Sequence, residues 1–514
     1  MFTKLKSYTV MGINAIPITV ETNTKHKKQP FFSIVGLPTN SVKESKDRVI
    51  AAIGNNNFGF PARRYTVNLA PADVKKEGVG FDLPIAIGIL SSLQKIYPRK
   101  LDEFGLVGEL SLNGEVRPIK GILPITVTAR EEGMKGILVP KENAKEAAVV
   151  NGIDVYAISS LRECINFLEG NIDLQPTEVE LSEVFKKKEN HQLDFFDVKG
   201  QYNVKRALEV AAAGGHNILL IGPPGSGKTM LARRVPGIMP VMTLDESLTT
   251  TKIHSVSGKL NSDNSLLTER PFRSPHHTIS DVALIGGGSY PKPGEVSLAH
   301  NGVLFLDELP EFKKSVLEVM RQPLEDGVVT ISRAAQSLTF PANFMLIASM
   351  NPCPCGYFGS NVPGHKCTCT TSMIQRYVSK ISGPLLDRID IHVEVPAVKY
   401  KELSKDPKGE KSHQIRSRIN AAKEKQLKRF DNIGDIFANA DMVSKHLRKY
   451  CKLDNKSKQL LKIAIEKLGL SARAYDRIIK VSRTIADLSE SEKILPEHIS
   501  EAVQYRSLDR KYWL

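Results

Sequence analysis

The chain has 514 residues, a length that at roughly 150 residues per domain calls for several domains and excludes a single small binding module. Apolar residues at 41% and charged residues at 25% are ordinary globular proportions, which excludes wholesale disorder and fibrous repeats. Lysine plus arginine (71) exceeds aspartate plus glutamate (56), a formal charge of +15 that favours polyanionic partners such as nucleic acid and equally fits a solvated basic surface.

Residues 1–20 lack the continuous apolar core and cleavage site of a secretory signal, so the protein is expected in the cytoplasm with reduced cysteines. Within residues 1–170, β-branched runs predict strands at 65–69 and 137–140, and periodic apolar positions predict helices at 47–54 and 84–93. This is an α+β unit with its own core. Its longest apolar run, 83–93, is broken by Pro84, Gly88 and two serines and does not span a bilayer. Residues 171–194 turn acidic and then basic, past Pro176 to Lys186, Lys187 and Lys188, and read as a linker. From 195 to 398 strands and helices alternate, with buried-type strands at 217–221, 302–306 and 344–348, as in a mostly parallel α/β sheet. Residues 399–514 carry helical periodicity, as at Leu460, Leu461, Ala464, Ile465 and Leu468, and read as a small helical domain.

The strand at 217–221 runs directly into Gly222, Pro223, Pro224, Gly225, Ser226, Gly227, Lys228 and Thr229, a G-x-x-x-x-G-K-T phosphate loop before a helix-like stretch. Its glycines let backbone N–H groups close around phosphate oxygens, Lys228 reaches the terminal phosphates of ATP, and the Thr229 hydroxyl is placed for Mg²⁺. The strand at 302–306 ends in Asp307 and Glu308, the first to hold the metal through its water shell, the second to polarise the attacking water. Asn351 ends the next strand, where its amide either orients that water or forms a turn before Pro352. Arg388 stands between Asp387 and Asp390 in a frame that equally suits a surface ion pair.

Cys353, Cys355, Cys367 and Cys369 form two C-x-C pairs across a Gly-rich loop containing His365. Four soft ligands without a redox role point to Zn²⁺, with His365 able to replace one sulfur; reduced thiols or a redox-sensitive loop are the alternative. Residues 284–294 are too rich in glycine and proline for a core element, and 328–333 with 337–340 read as a hairpin carrying Arg333 near its tip. Lys423, Lys425, Lys428 and Arg429, then Lys445, Arg448, Lys449 and Lys452, make basic helix faces in the tail.

The order of phosphate loop, Asp-Glu strand, Asn-ended strand and Leu385-Leu386-Asp387-Arg388 resembles an AAA+ ATPase, specifically the magnesium-chelatase-like branch called YifB or ComM. Further stretches match that family: 272–280 (Phe272 to Ser280, with His276 and His277), 321–327, 351–356, and 470–477 with Arg473. The resemblance implies an AAA+ core with a C-terminal helical lid, in which Asn351 is sensor 1, Arg388 an arginine finger given to the neighbouring subunit, and Arg473 sensor 2. A trans arginine implies a homo-hexameric ring. Val198 and Gln201 fall where this class lines the adenine pocket. Related rings insert loops into a central channel at the place of 284–294, which makes Tyr290 and Lys292, with Arg333, the candidates for contact with single-stranded or branched DNA. Residues 75–84 and 112–143 resemble the proteolytic domain of Lon, an α+β fold like domain 2 of ribosomal protein S5. That enzyme's serine position falls at Gly80 and its lysine position at Leu123, so no peptidase dyad is present and the domain reads as a scaffold or nucleic-acid surface. The expected function is a ComM-type helicase promoting branch migration in recombination or natural transformation. A chelatase motor subunit or an ATP-dependent protein remodeller are the alternatives.

Overall fold

In the computed structural model, residues 2–26, 31–76, 78–181, 185, 193–260, 265–288, 291–333, 336–360, 364–397, 409–431, 433, 436–469 and 471–508 are described. The chain divides into two units, Met1–Lys187 with Leu244–Thr268, and Lys188–Thr243 with Glu269–Leu514.

The first unit grows from a hairpin, Phe2–Met11 against Asn14–His26, joined at Gly12 and Ile13. The buried positions of Asn14–His26 alternate at Ile18, Val20, Thr22 and Thr24, so one face enters the core. The predicted strand at 65–69 is the central part of Arg63–Ala70, antiparallel to Asn14–His26, and the predicted one at 137–140 lies in Gly136–Pro140. The seven-stranded mixed sheet runs Phe31–Val35, Arg63–Ala70, Asn14–His26, Phe2–Met11, Phe104–Leu106, Gly136–Pro140, Asp154–Ile158. The apolar run at 83–93 becomes the helix Asp82–Ser92, buried on every side, as a helix without a polar face must be. Asp82 at its start is fully buried and accepts from Arg48 Nε at 2.6 Å, Arg48 Nη2 at 3.1 Å and the Leu110 N–H at 3.2 Å.

Two boundaries differ from the sequence expectation. Ile172 and Leu174, placed in the linker at 171–194, pack against the first unit's core, and the Thr177 N–H donates to Val155 O at 2.8 Å. Leu244–Thr268, expected within the ATPase core at 195–398, falls in the first unit: its helix Leu244–Ser257 lies against helix Ile122–Glu131. There the Ser255 hydroxyl donates to Glu146, whose carboxyl burial pushes up. Lys186, Lys187 and Lys188 of the expected linker include residues outside the described ones.

The second unit carries a five-stranded, all-parallel sheet in the order Phe272–Arg273, Val303–Leu306, Met345–Met350, Ile218–Ile221, Ile391–Glu394. Three of its strands, Ile218–Ile221, Val303–Leu306 and Met345–Met350, are buried along their whole length, as a sheet covered on both sides requires. The acidic strand and the phosphate-loop strand are not neighbours; the Asn-ended strand lies between them. The tail is helical, as expected, in Ser412–Phe430, Ser444–Tyr450, Asn455–Leu468, Ala472–Leu488 and Pro496–Gln504. Its Ile415, Ile419, Leu461, Ile478 and Ile485 share one apolar core with Ile218, Leu220, Ile347 and Ile391 of the sheet. A buried polar strut crosses the same interface: Asp390 takes Arg477, and His216 bridges Asp390 at 3.3 Å to the Thr484 hydroxyl at 2.8 Å. Among the described residues no helix is long and apolar enough to cross a membrane.

Candidate nucleotide site and cysteine centre

Parallel strands level with one another deliver their C-terminal ends to one edge. Ile221 pairs with Met350, and Leu306 with Ala348, so Gly222, Asp307, Glu308 and Asn351 all leave the sheet together. Gly225 and Gly227 adopt φ of +73° and +88°, left-handed values that turn the chain from strand Ile218–Ile221 into helix Lys228–Arg234. Lys228, buried, donates to the carbonyls of Gly222 at 2.7 Å and Pro223 at 3.0 Å and to Asn351 Oδ1 at 3.2 Å. Burial lowers its pKa, and the charges of Asp307 and Glu308 work against that shift. The Thr229 hydroxyl donates to Asp307 Oδ2 at 2.8 Å, and Ser349 and the Glu308 N–H donate to Asp307 Oδ1. Thr229 and Asp307 therefore adjoin as two hard oxygen donors, the chemistry Mg²⁺ takes.

Glu308 turns away from this group. Its φ of +54° is left-handed, a costly setting for a non-glycine residue. Its Oε2 lies 3.4 Å from His277 Nδ1, and the His277 ring stacks on His276 with centroids 4.1 Å apart. His277 stands in the stretch 272–280 and received no role from the sequence; the doubled histidine was the available signal.

The two expected arginines take other partners. Arg388 is buried and donates to Glu325 and to the Pro384 carbonyl. Arg473 is exposed in the first turn of Ala472–Leu488, capped by Ser471, with Asp387 at 3.9 Å. Gln201 donates to Pro396 O at 2.7 Å and Ser226 O at 3.3 Å, and Val198 is buried. Lys292 is exposed, its backbone paired with Gly287. Arg333 and Gln336 close the pairing of hairpin Val328–Arg333 and Gln336–Pro341, and Tyr290 lies outside the described residues. The tail's basic residues are partly spent inside the fold: Lys423 donates to Phe437 O at 2.6 Å, Lys425 to Asp487 O at 3.4 Å, and Arg429 pairs with Asp487.

The four clustered cysteines converge, their sulfurs all within 4.8 Å of one another. Cys353 Sγ lies 3.3 Å from Cys355 and 3.8 Å from Cys367, and Cys355 lies 3.6 Å from Cys367. Four sulfurs ~2.3 Å from one zinc ion sit ~3.8 Å apart in a tetrahedron, so the set fits. The Phe358 N–H points at Cys353 Sγ at 3.3 Å, the kind of donor that supports a ligating thiolate. Burial and the neighbouring thiols push Cys353 up. At Cys355 burial acts the same way, but N–H donors from Tyr357 and Thr368 outweigh it and hold the thiol down. His365 stacks on Tyr357 at 4.5 Å.

In the first unit, Leu123 is fully buried, and a β-carbon at Gly80 would touch Ile119 at 3.4 Å. Lys120 runs along Gly258 of the inserted segment, where a β-carbon would meet its Cε at 2.5 Å.

Residues 194–403 match the family described as magnesium chelatase, subunit ChlI; residues 20–143 match subunit ChlI of Mg-chelatase, and residues 409–506 the ChlI C-terminal family. The chain is 45% identical over 503 residues to competence protein ComM of Haemophilus influenzae, covering 97% of this chain and 96% of that one. It is 44% identical over 504 residues to protein YifB of Escherichia coli, with the same two coverages, 97% and 96%. A weaker similarity, 28% over 127 residues, links 24% of the chain to 22% of Lon protease 2 of Bacillus subtilis.

Proposed function

We propose, from the premise that the chain belongs to the YifB/ComM family of magnesium-chelatase-type ATPases, that it is an ATP-hydrolysing ring motor, a hexamer, that acts on single-stranded or branched DNA. The convergence of Lys228, Thr229, Asp307 and Asn351 at one sheet edge carries the ATPase reading. The DNA reading is supported by the relative named a competence protein and by the net charge of +15.

In this mechanism Lys228 exchanges the Gly222 and Pro223 carbonyls for β- and γ-phosphate oxygens of ATP, among N–H groups of 222–229. Thr229 and Asp307 hold Mg²⁺, which supplies charge neutralisation between the phosphates. Glu308 leaves His277 to accept a proton from the attacking water as the water oxygen bonds to the γ-phosphorus and the bond to ADP breaks. Asn351, held beside Lys228, orients that water. Arg473 reaches the nucleotide of its own subunit. Arg388, released from Glu325, reaches the neighbour's, so that each site is complete only in the ring. Val198 and Gln201 border the adenine, and Lys292, Tyr290 and Arg333 face the DNA backbone. Cys353, Cys355, Cys367 and Cys369 hold a structural zinc ion, which cross-links the loop after Asn351. The domain organisation is a Lon-like first domain, expected over 1–170 and extended by 171–177 and by the inserted Leu244–Thr268, that serves as a scaffold without peptidase activity, a linker up to 194, the ATPase core over 195–243 and 269–398 and the lid over 399–514. The setting is the cytoplasm, in natural transformation or recombination.

The test is phosphate release by the purified protein, with and without single-stranded and forked DNA, beside Glu308→Gln. Stimulation by DNA that disappears at high salt and in the variant is expected. Turnover indifferent to every DNA overturns the motor-on-DNA reading and favours the chelatase-type motor named by the family.

A further inference from the structure

The cysteine turn and the phosphate loop are joined twice. One connection runs along the chain: Cys353 is two residues beyond Asn351, whose side-chain oxygen accepts from Lys228 at 3.2 Å.

The other connection is a contact between the Gly356 backbone and the Pro224 ring. Gly356 adopts φ +87°, and its N–H closes the turn onto Cys353 O at 3.0 Å. A β-carbon at Gly356 would stand 2.6 Å from Cδ and 2.8 Å from Cγ of Pro224. Only the Pro224 ring lies between the turn and the phosphate-loop backbone, and Gly356 rests on it. Pro224 has a fixed φ and lies between Pro223, whose carbonyl Lys228 touches, and Gly225, where the loop turns left-handed. A displacement of the turn toward the loop therefore bears directly on the Pro224 ring.

The sulfur cluster sets the position of that turn. Cys353 and Cys355 bracket one arm and Cys367 and Cys369 the other, and Gly356 is the residue after Cys355. A divalent metal ion would cross-link the four thiolates and offset half of their charge. Without it, the thiols at 3.3 to 3.8 Å make weak S–H contacts, and N–H donors such as that of Phe358 to Cys353 hold far less firmly than a metal cross-link.

We propose that zinc occupancy of the four-cysteine site sets the affinity of the phosphate loop for ATP, through Gly356 against Pro224 and through the segment from Asn351 to Cys353. The proposal rests on the zinc reading above and adds to it that the ion controls nucleotide binding as well as loop structure.

The experiment uses the full-length protein, reduced and in excess Mg²⁺. Zinc content is read by elemental analysis and ATP affinity by binding of a fluorescent ATP analogue, before and after a zinc-selective chelator. About one zinc per chain is expected, and its removal is expected to weaken the analogue at least tenfold, with recovery on adding Zn²⁺ back. Pro224→Ala, which takes away the ring that Gly356 rests on, is expected to keep its zinc and to lose most of the dependence of analogue affinity on zinc. A zinc-free protein with unchanged far-ultraviolet dichroism and an affinity within twofold of the start overturns the proposal while leaving the zinc site intact. A Pro224→Ala protein that responds to zinc like the parent overturns the route. A protein that neither contains nor takes up zinc overturns the zinc reading itself, and the proposal with it.

Discussion

Both units bury charge, and they use it differently. Asp82 in the first unit is fully buried with both oxygens spent, two on Arg48 nitrogens and one shared with the Leu110 N–H. In the second, Lys228 at the start of a helix bonds to nearby carbonyls, Asp307 after strand Val303–Leu306 accepts from the Thr229 hydroxyl, and Glu308 stays half exposed beside His277. A charge whose every lone pair is used internally serves the fold, whereas charges assembled with exchangeable partners are set up for a ligand.

Four measurements break or sharpen that contrast. Lys228→Ala and Glu308→Gln are each expected to lower ATP turnover by ~100-fold or more, with analogue binding kept only in Glu308→Gln. Phosphate release and binding, measured on the same preparations, check this. Next, Arg48→Ala leaves Asp82 buried and unpaired, which costs ~3–5 kcal/mol of stability. Denaturant unfolding should show that loss while turnover per folded molecule stays put; a turnover defect without a stability defect would break the contrast.

Asp390 offers a pH test in the second unit. Burial alone would raise its pKa, but Arg477, His216 and Lys480 outweigh burial and hold the carboxyl well below the usual range. A depressed carboxyl stabilises the fold at pH above its unfolded value, ~3.9, and that stability is lost as pH falls toward the folded value. The free energy of unfolding should therefore drop below about pH 4, by on the order of a few kcal/mol, and Asp390→Asn should be less stable at neutral pH with a shallower acid limb. The smallest effect belongs to Lys135→Ala. Its pair with Glu103, at 2.9 Å and largely solvent-exposed, should contribute under ~1 kcal/mol and vanish in high salt.

Much of the second unit is written locally. The phosphate loop, the acidic strand end and Asn351 are each set by a contiguous stretch, because a buried parallel strand and a glycine turn both have short signatures. The helical tail follows from periodicity in the same way. What cannot be read along the chain is what distant residues do to one another. The insertion of the Asn-ended strand between the other two depends on long-range pairing. Arg388 meets Glu325, and His216 meets Asp390 and Thr484, only after the chain has folded. The opposite case is Cys353 to Cys369, where two C-x-C pairs announced a cluster but nothing local announced that Gly356 would lie on Pro224.

The segment Leu244–Thr268 has a bearing on synthesis. A ribosome that has finished residue 187 has made most of the first unit but not the helix Leu244–Ser257 that lies on Ile122–Glu131, nor the hydroxyl that satisfies Glu146. At ~5–20 residues per second that gap lasts on the order of ten seconds. The nascent first unit must wait, with the flank of Ile122–Glu131 uncovered, and the phosphate loop emerges before it is closed. Truncation after residue 187 would make that waiting state permanent, so the first unit is completed only once synthesis has passed residue 268.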